Sequence, residues 1–312
     1  VSTPRIAVVV ATRDRAFRLS LLLDALRAQQ LDAGAFEVVV VDDGSQDATP
    51  LLLADAERAG DLDLRVLRRE PAGGPAAARN LGWRAVRAPL VAFTDDDCRP
   101  SEGWLDALLA AADEHPGVVF QGRVEKDPTQ MKAMSPFAHT YEVHGFDQGF
   151  ATANMLYPRQ ILERLEGFDE TFLLPAGEDT DLGWRAIEAG AEIQFIPGAL
   201  VYHGIVPTGA LARFRATSRW TSTVRNYPRH PGMRKVKGLF WRQNHWELFR
   251  FLVALALPRR LGIVRLYLAA PYVKHLTDRR TGPLLAPYLL ALDLAEVLAV
   301  VRGAIRYRVL VL

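Results

Sequence analysis

Three short β-branched runs, each ending in carboxylates, constrain this chain most. Arg5–Ala11 gives way to Thr12, Arg13, Asp14 and Arg15. Phe36–Val41 ends in Asp42 and Asp43, and Leu90–Phe93 runs through Thr94 into Asp95, Asp96, Asp97 and Cys98. Runs this short and this continuously apolar read as strands buried on both faces of a parallel sheet. Helical spacing follows them. Leu19, Leu22, Leu23 and Leu26 recur after the first run; Thr49 as N-cap and Pro50 in the first turn open a helix over Leu51–Arg58 after the second. Strand, polar loop and helix in repetition predict an α/β fold, a mixed but mainly parallel sheet flanked by helices. Such sheets bind ligands beyond the carboxyl ends of their strands. Asp14, Asp43, Asp95 and Asp97 are therefore expected to meet along one edge.

Three consecutive carboxylates at a strand end are costly unless a positive charge sits among them. A hard divalent cation with oxygen ligands suits them, Mg²⁺ or Mn²⁺ rather than zinc, with positions left open for phosphate oxygens. An acidic triplet on its own more often marks a solvated loop; the second acidic strand end, Asp42-Asp43, turns the reading towards a ligand site. Cys98, next to three carboxylates, has its thiol pKa raised and is no nucleophile. As the sole cysteine it excludes an internal disulfide and fits a reducing compartment. No basic segment followed by an apolar core opens the sequence, so no secretory signal is expected. The 312 residues, 49% hydrophobic, suffice for one large core and an appendage.

The succession VVVATRDR, VVVDDGSQDAT, GGPAAARN (73–80) and LVAFTDDDC resembles the nucleotide-sugar half of an inverting family 2 glycosyltransferase with the Rossmann-like GT-A fold. GFATANMLYPRQ and GEDTDLGWRAIEAG resemble that family's acceptor-side segments, and the resemblance covers residues 4–203. It implies transfer of a sugar, with inversion and a divalent cation (Mn²⁺ or Mg²⁺), from a UDP, GDP or dTDP sugar to an acceptor hydroxyl. Asp97 is then a metal ligand, Asp95 a second, and His203, closing the strand-like Ala199–His203, a third. Asp14 and Asp43 face the base or ribose with Thr12 and Arg15 adjoining, and Asp95 or Asp96 is available to the ribose. Arg79 can meet phosphate or these carboxylates. In the Glu178-Asp179 pair Asp179 takes the general-base role; otherwise the two acids merely favour a helix N-terminus. Asn154, in the β-rich run Gly149–Tyr157, and Arg159 lie under the donor sugar and acceptor in relatives.

Two other activities compete. A nucleotidyltransferase shares the nucleotide and metal requirements, but no basic, Gly-rich loop stands near the N-terminus to hold a triphosphate. A catalytically idle nucleotide-sugar binder would lack a base or a metal ligand, whereas Asp95, Asp97 and Asp179 are all present.

The second half differs in charge. Residues 204–312 hold 19 Lys and Arg against 4 Asp and Glu, leaving 19 against 32 for residues 1–203. An acidic catalytic domain (1–205) and a basic helical tail (206–312) are expected, and the imbalance points to an anionic partner. Apolar blocks at Leu248–Leu257, Leu261–Val273 and Pro283–Val301 are each interrupted by charge. Pro258, Pro271, Pro283 and Pro287 are expected to break them into short helices. Basic residues flanking these blocks, with Trp220, Trp241, Trp246, Tyr267 and Tyr272 among them, suit interfacial helices on anionic lipid. The alternative is a helical layer packed on the head or on a second protomer. The expected protein is cytoplasmic and peripheral at the inner face of the plasma membrane. It serves a saccharide or lipid-linked acceptor in envelope or polysaccharide synthesis, and takes no nucleic acid, since no binding module accompanies the charge.

Overall fold

The computed structural model describes residues 3–31, 34–173, 175–239, 242–278 and 283–311; Trp241, among the aromatics noted above, lies outside them. The chain divides into two compact units, Val1–Met134 with His139–Pro207, and Ser135–Ala138 with Thr208–Leu312.

The first unit is built on one sheet. Strands β1 (Ile6–Thr12), β2 (Phe36–Asp42), β3 (Leu64–Arg68) and β4 (Leu90–Phe93) run parallel in the order β3-β2-β1-β4. Strands β5 (Cys98–Pro100), β6 (Val119–Lys126), β7 (Met155–Pro158) and β8 (Ile193–His203) continue it as β7-β6-β8-β5. Strand β7 is antiparallel to β4 and β6, and β5 is antiparallel to β8, so the sheet is mixed but mainly parallel. The β1–β2 register sets Ile6 opposite Phe36 and Thr12 opposite Asp42. The two strands thus end level, and their polar loops start from the same edge.

Helices cover both faces because the strands are apolar on both. The helices are α1 (Ala16–Arg27), α2 (Thr49–Ala59), α3 (Pro75–Ala85), α4 (Trp104–Glu114), α5 (Arg159–Arg164) and α6 (Glu178–Glu188). Leu19, Leu22, Leu23 and Leu26 of α1 pack with Leu53 of α2 and Trp104, Leu105 and Leu108 of α4 against Ile6, Val8 and Val10. On the opposite face α3 comes so close that a Cβ at Gly82 would lie 2.5 Å from Val9 Cγ1 and 3.2 Å from Val41 Cγ2.

Two local expectations are corrected. The N-cap of α2 is Ala48, not Thr49. Asp47 Oδ1 accepts from the Thr49 N–H at 2.8 Å, while Thr49 Oγ1 accepts from the Arg15 N–H at 3.1 Å. A carboxylate is the stronger acceptor for the free amides of a first turn, and Thr49 is left to tie the two strand-end loops together. Only the end of Gly149–Tyr157 is strand, since Thr152–Asn154 forms a 3₁₀ turn ahead of β7.

The second unit is helical: α7 (Ala210–Ala216), α8 (Trp220–Thr223), α9 (Asn226–Arg229), α10 (Pro231–Lys237), α11 (Gln243–Ala256), α12 (Gly262–Asp278) and α13 (Ala286–Arg306). Leu248, Tyr272, Leu276 and Leu289 form a small core of its own. Asp293 of α13 is buried there and accepts from Tyr272 Oη at 2.9 Å and Asn244 Nδ2 at 3.1 Å. With the 3₁₀ turn at Pro283–Leu285, α13 is long and apolar enough by length and composition to cross a membrane.

The prolines act unequally. Pro258 lies between α11 and α12, as expected, and Pro283 precedes α13, but Pro287 lies in the first turn of α13, which runs unbroken for 21 residues where short helices were expected. Pro271, by contrast, sits inside an unbroken α12. It has no N–H for the Tyr267 carbonyl four residues back, and Arg250 Nη2 of α11 supplies one at 3.2 Å.

Candidate active site

The loop after β4 turns tightly, with the Cys98 N–H donating to the Asp95 carbonyl at 3.0 Å, and sends its three carboxylates different ways. Asp96 points inward, where it accepts from Thr12 Oγ1 at 2.7 Å. Burial, reinforced by the neighbouring Asp97, pushes its pKa up to about 7. Asp97 faces β8, because the antiparallel β5–β8 pairing sets Cys98 opposite His203, and the Gly204 N–H donates to the Asp97 carbonyl at 2.7 Å.

Asp97 Oδ1 lies 3.6 Å from His203 Nε2, while His203 Nδ1 is 2.9 Å from the Gly204 carbonyl. A carbonyl only accepts, so Nδ1 carries the proton there and the Nε2 lone pair is turned to the carboxylate. Two acceptors facing each other call for a cation or a further proton between them. A ring held through one nitrogen by a backbone carbonyl, with the other presented, is the usual arrangement of a metal-ligating histidine. Asp97, Cys98 and His203 bring their ligand atoms within 4.8 Å of one another. Burial, then Asp95 and Asp97, push the Cys98 thiol pKa well upward. The protonated sulfur suits a hard cation poorly, so the oxygen and nitrogen donors are the pair that fits. Arg15 Nη1 bonds Asp97 Oδ2 at 2.9 Å, and Arg18 Nη1 stands 3.9 Å from it.

A second cluster begins at Asp95. Arg79, in the second turn of α3, donates to Asp95 Oδ1 at 2.9 Å and to Glu178 Oε1 at 2.8 Å. Burial opposes its charge, but Asp95, Glu178 and Asp179 outweigh that and raise its pKa. Glu178 and Asp179 occupy the first turn of α6, behind Gly177 at φ 99°. Glu178 is buried, and its Oε2 has no hydrogen-bonding partner among the described residues. Asp179 is densely surrounded but keeps a partly exposed side. Burial and then the Glu178 charge push its pKa well above the usual carboxylate range, against the Thr180 N–H that donates to Oδ1 at 2.7 Å.

The β1 and β2 ends form the third part. Asp14, at φ 53°, accepts from the Gln46 N–H at 2.6 Å. Asp43 accepts from the N–H groups of Gly73 and Gly74, one to each oxygen, both at 2.8 Å. Asp43 therefore fastens the glycine loop that opens α3 to the end of β2. Asp42 has a structural part, accepting from the Ser45 N–H and Arg68 Nη1, each at 2.8 Å.

A sequence profile described as glycosyl transferase family 2 matches residues 7–168, more than half the chain. This chain belongs to glycosyl transferase family 2. A second profile, glycosyl transferase family group 2, matches residues 128–300. Among curated relatives, the pre-mycofactocin glycosyltransferase of Mycobacterium tuberculosis is 34% identical over 213 residues, 64% of this chain and 42% of the relative. The match thus spans less than half the relative's length. Glycosyltransferase AglE of Haloferax volcanii is 25% identical over 216 residues, 67% of this chain and 70% of that one. Among solved structures, mannosyltransferase PcManGT from Pyrobaculum calidifontis, in complex with GDP-Man and Mn²⁺, matches with a TM-score of 0.63 at 23% identity. The match covers 97% of this chain and 88% of that one. S. aureus TarS in complex with UDP-GlcNAc gives a TM-score of 0.57 at 16% identity, covering 98% and 92%. The fold is therefore the mixed-sheet GT-A fold with C-terminal helices.

In this family 2 chain, Thr12, Asp14, Arg15, Asp43, Asp95, Asp96 and Asp97 lie at the carboxyl ends of β1, β2 and β4, and His203 ends β8 beside Asp97. Arg79 joins Asp95 to Glu178. Asp95 does not enter the group around His203 and faces Arg79 instead. Asn154 stands apart from these contacts, buried, with Nδ2 donating to the Arg123 and Ala199 carbonyls and Oδ1 accepting from Trp104 Nε1. Arg159 is likewise engaged, by Glu163 at 2.9 Å and the Val86 carbonyl. Arg18 went unread in the sequence, although it sits three positions beyond Arg15, the spacing that puts two residues on one helix face. Asp147 also went unread: it accepts from Tyr141 Oη at 2.7 Å, and its backbone bonds both ends of the Gln121 amide. No spacing signals a contact of that kind.

Proposed function

We propose that this protein transfers a sugar from a nucleotide-diphosphate donor of the UDP, GDP or dTDP type to an acceptor hydroxyl, with inversion. The observation that carries the reading is the convergence at one sheet edge. There the Asp97–His203 pair, and Asp95 bridged through Arg79 to the α6 acids, stand beside the β1 and β2 loops. Asp97 and His203 would hold Mn²⁺ or Mg²⁺, while Asp95, held by Arg79, stays outside that pair. When bound, the cation supplies Lewis-acid neutralisation of the charge on the departing diphosphate. Asp14, Thr12 and Arg15 line the nucleotide end, and Asp96 buttresses Thr12 beneath it. Asp179 takes the proton of the acceptor hydroxyl, since its raised pKa suits a base working near neutrality. Glu178, anchored by Arg79, fixes the first turn of α6, and its Oε2 is left to accept from a sugar hydroxyl.

PcManGT with GDP-Man and Mn²⁺, and TarS with UDP-GlcNAc, support a nucleotide-sugar donor and a divalent ion. The excess of Lys and Arg after residue 203 favours a saccharide or lipid-linked acceptor presented at an anionic, cytoplasmic membrane face. The test is a panel of nucleotide sugars assayed for donor hydrolysis and transfer with and without Mn²⁺, beside calorimetric titration of the matching nucleotide diphosphate. Asp97→Ala is expected to abolish Mn²⁺-dependent nucleotide binding with the fold retained. Unchanged affinity would remove Asp97 from the metal site, and a retained anomeric configuration in the product would overturn inversion.

A further inference from the structure

We infer that the α11–α12 hairpin is a membrane-docking element that seats its apolar tip in the interface of an anionic lipid bilayer. The inference concerns the second unit and does not depend on the donor or on the reaction.

The two helices are fastened to each other by an arginine from each. Arg250 donates to the Tyr267 carbonyl that Pro271 leaves free, and its guanidinium lies 5.2 Å from the centre of the Tyr267 ring. Arg265 Nε returns the contact by donating to the Ala254 carbonyl, in the last turn of α11, at 2.9 Å. Phe251 packs on Tyr272 at 5.3 Å between ring centres. The hairpin is thus a built element with a defined end.

That end is apolar and uncovered among the described residues. Ile263 is 88% exposed, Leu266 71% and Tyr267 72%, and Leu261 and Val264 are exposed beside them. On α11, Leu252 and Leu255, the residues nearest the turn, are also exposed. A soluble surface tolerates scattered apolar residues, but several large ones exposed together at one turn mark a contact site.

Charge identifies the occupant. From Leu248 to Thr277 the chain carries Arg250, Arg259, Arg260, Arg265 and Lys274 and no carboxylate. Arg259 and Arg260 are exposed at the turn itself, between the apolar positions of the two helices. Aliphatic residues beside guanidinium groups, with Tyr267 in the second turn of α12, match a layer that is hydrocarbon below and phosphate above. A protein groove would complement the apolar part, but would have to supply acids for both arginines. Anionic lipid headgroups supply that charge wherever the tip lands.

The test is flotation of the full chain with phosphatidylcholine vesicles, with and without phosphatidylglycerol, over a salt series. The wild type should float with the anionic vesicles, less so as salt rises. Ile263→Glu with Leu266→Glu, both at exposed positions, should lower partitioning by more than about a hundredfold, at every salt concentration. Arg259→Ser with Arg260→Ser should lower it by roughly thirtyfold at most and flatten the salt dependence. Circular dichroism and nucleotide binding should be unchanged in both. Wild-type chain that ignores anionic vesicles overturns the proposal, as does an apolar-tip variant that floats like wild type. Attachment that resists alkaline carbonate and yields only to detergent overturns it in favour of a spanning helix. Loss of a dimer on size-exclusion chromatography, with flotation intact, makes the tip a contact between copies of the chain.

Discussion

Asp179 answers to two demands that pull in opposite directions. As the proposed base it must be ionised, yet burial and Glu178 make its ionised form costly. A group whose folded pKa is raised contributes stability that is fully present below its unfolded value, near 3.8, and is lost as pH rises through the folded value. Asp179→Asn should therefore raise the melting temperature above that folded pKa and leave it unchanged below the unfolded one. Transfer should fall by about 10² to 10⁴ while nucleotide affinity is kept. For the wild type, the acid limb of the kcat/KM profile should lie well above the ordinary carboxylate range, because activity appears only once Asp179 has lost its proton. An acid limb at the usual carboxylate position, or a variant with native turnover, would take the base role away from Asp179. Single residues were legible to different depths. The DDD triplet announced itself by charge, whereas Asn154, one polar residue in an apolar run, read as ligand-facing and is in fact held by two carbonyls and an indole.

At the scale of elements, whatever depends on local pattern was readable and whatever depends on distant pairing was not. Strands β1, β2 and β4 and helices α1 and α2 follow from β-branched runs, leucine spacing and the Thr49-Pro50 start, and they place the acidic loops along one edge. His203 was set with Asp97 by the resemblance and by no local pattern: the two meet because the three-residue strand β5 pairs with the end of β8, more than a hundred positions away. A strand that short has no pattern of its own. Pro271 was misread for a related reason: its effect on α12 is cancelled by an arginine from another helix. The close seat of α3 on β1 and β2 is a further long-range feature, and it yields a test. Gly82→Ala forces a methyl towards Val9 Cγ1 and Val41 Cγ2, so urea denaturation should show a loss of about 1–3 kcal/mol. Nucleotide affinity should fall with it, since α3 carries Arg79. Ordinary stability in that variant would show that α3 can back away from the sheet without cost.

Over the whole molecule, charge was the legible quantity: the division between an acidic head and a basic tail is written in the sequence. Which apolar faces the tail buries was not, because Leu248 and Leu252 have the same chemistry, and only packing leaves one covered and the other exposed. The two units hold separate cores, one between the sheet and α1, α2 and α4, the other around Leu248, Tyr272 and Leu289. Separate cores predict separate responses, and hydrogen exchange resolved by peptide can read them. A nucleotide diphosphate with Mn²⁺, at a hundred times its Kd, stabilises whatever binds it by about 2.7 kcal/mol. Exchange should slow by that measure in peptides of β1, β2, β4 and α3 and stay as it was in α11 to α13. Tyr272→Phe should do the reverse. It removes a hydrogen bond to the buried Asp293 carboxylate, worth about 1.5–3 kcal/mol for a charged acceptor, so protection should drop in α11 to α13 alone. Equal shifts in both units under either treatment would mean that the chain unfolds as one cooperative body, with its two cores acting as a single one.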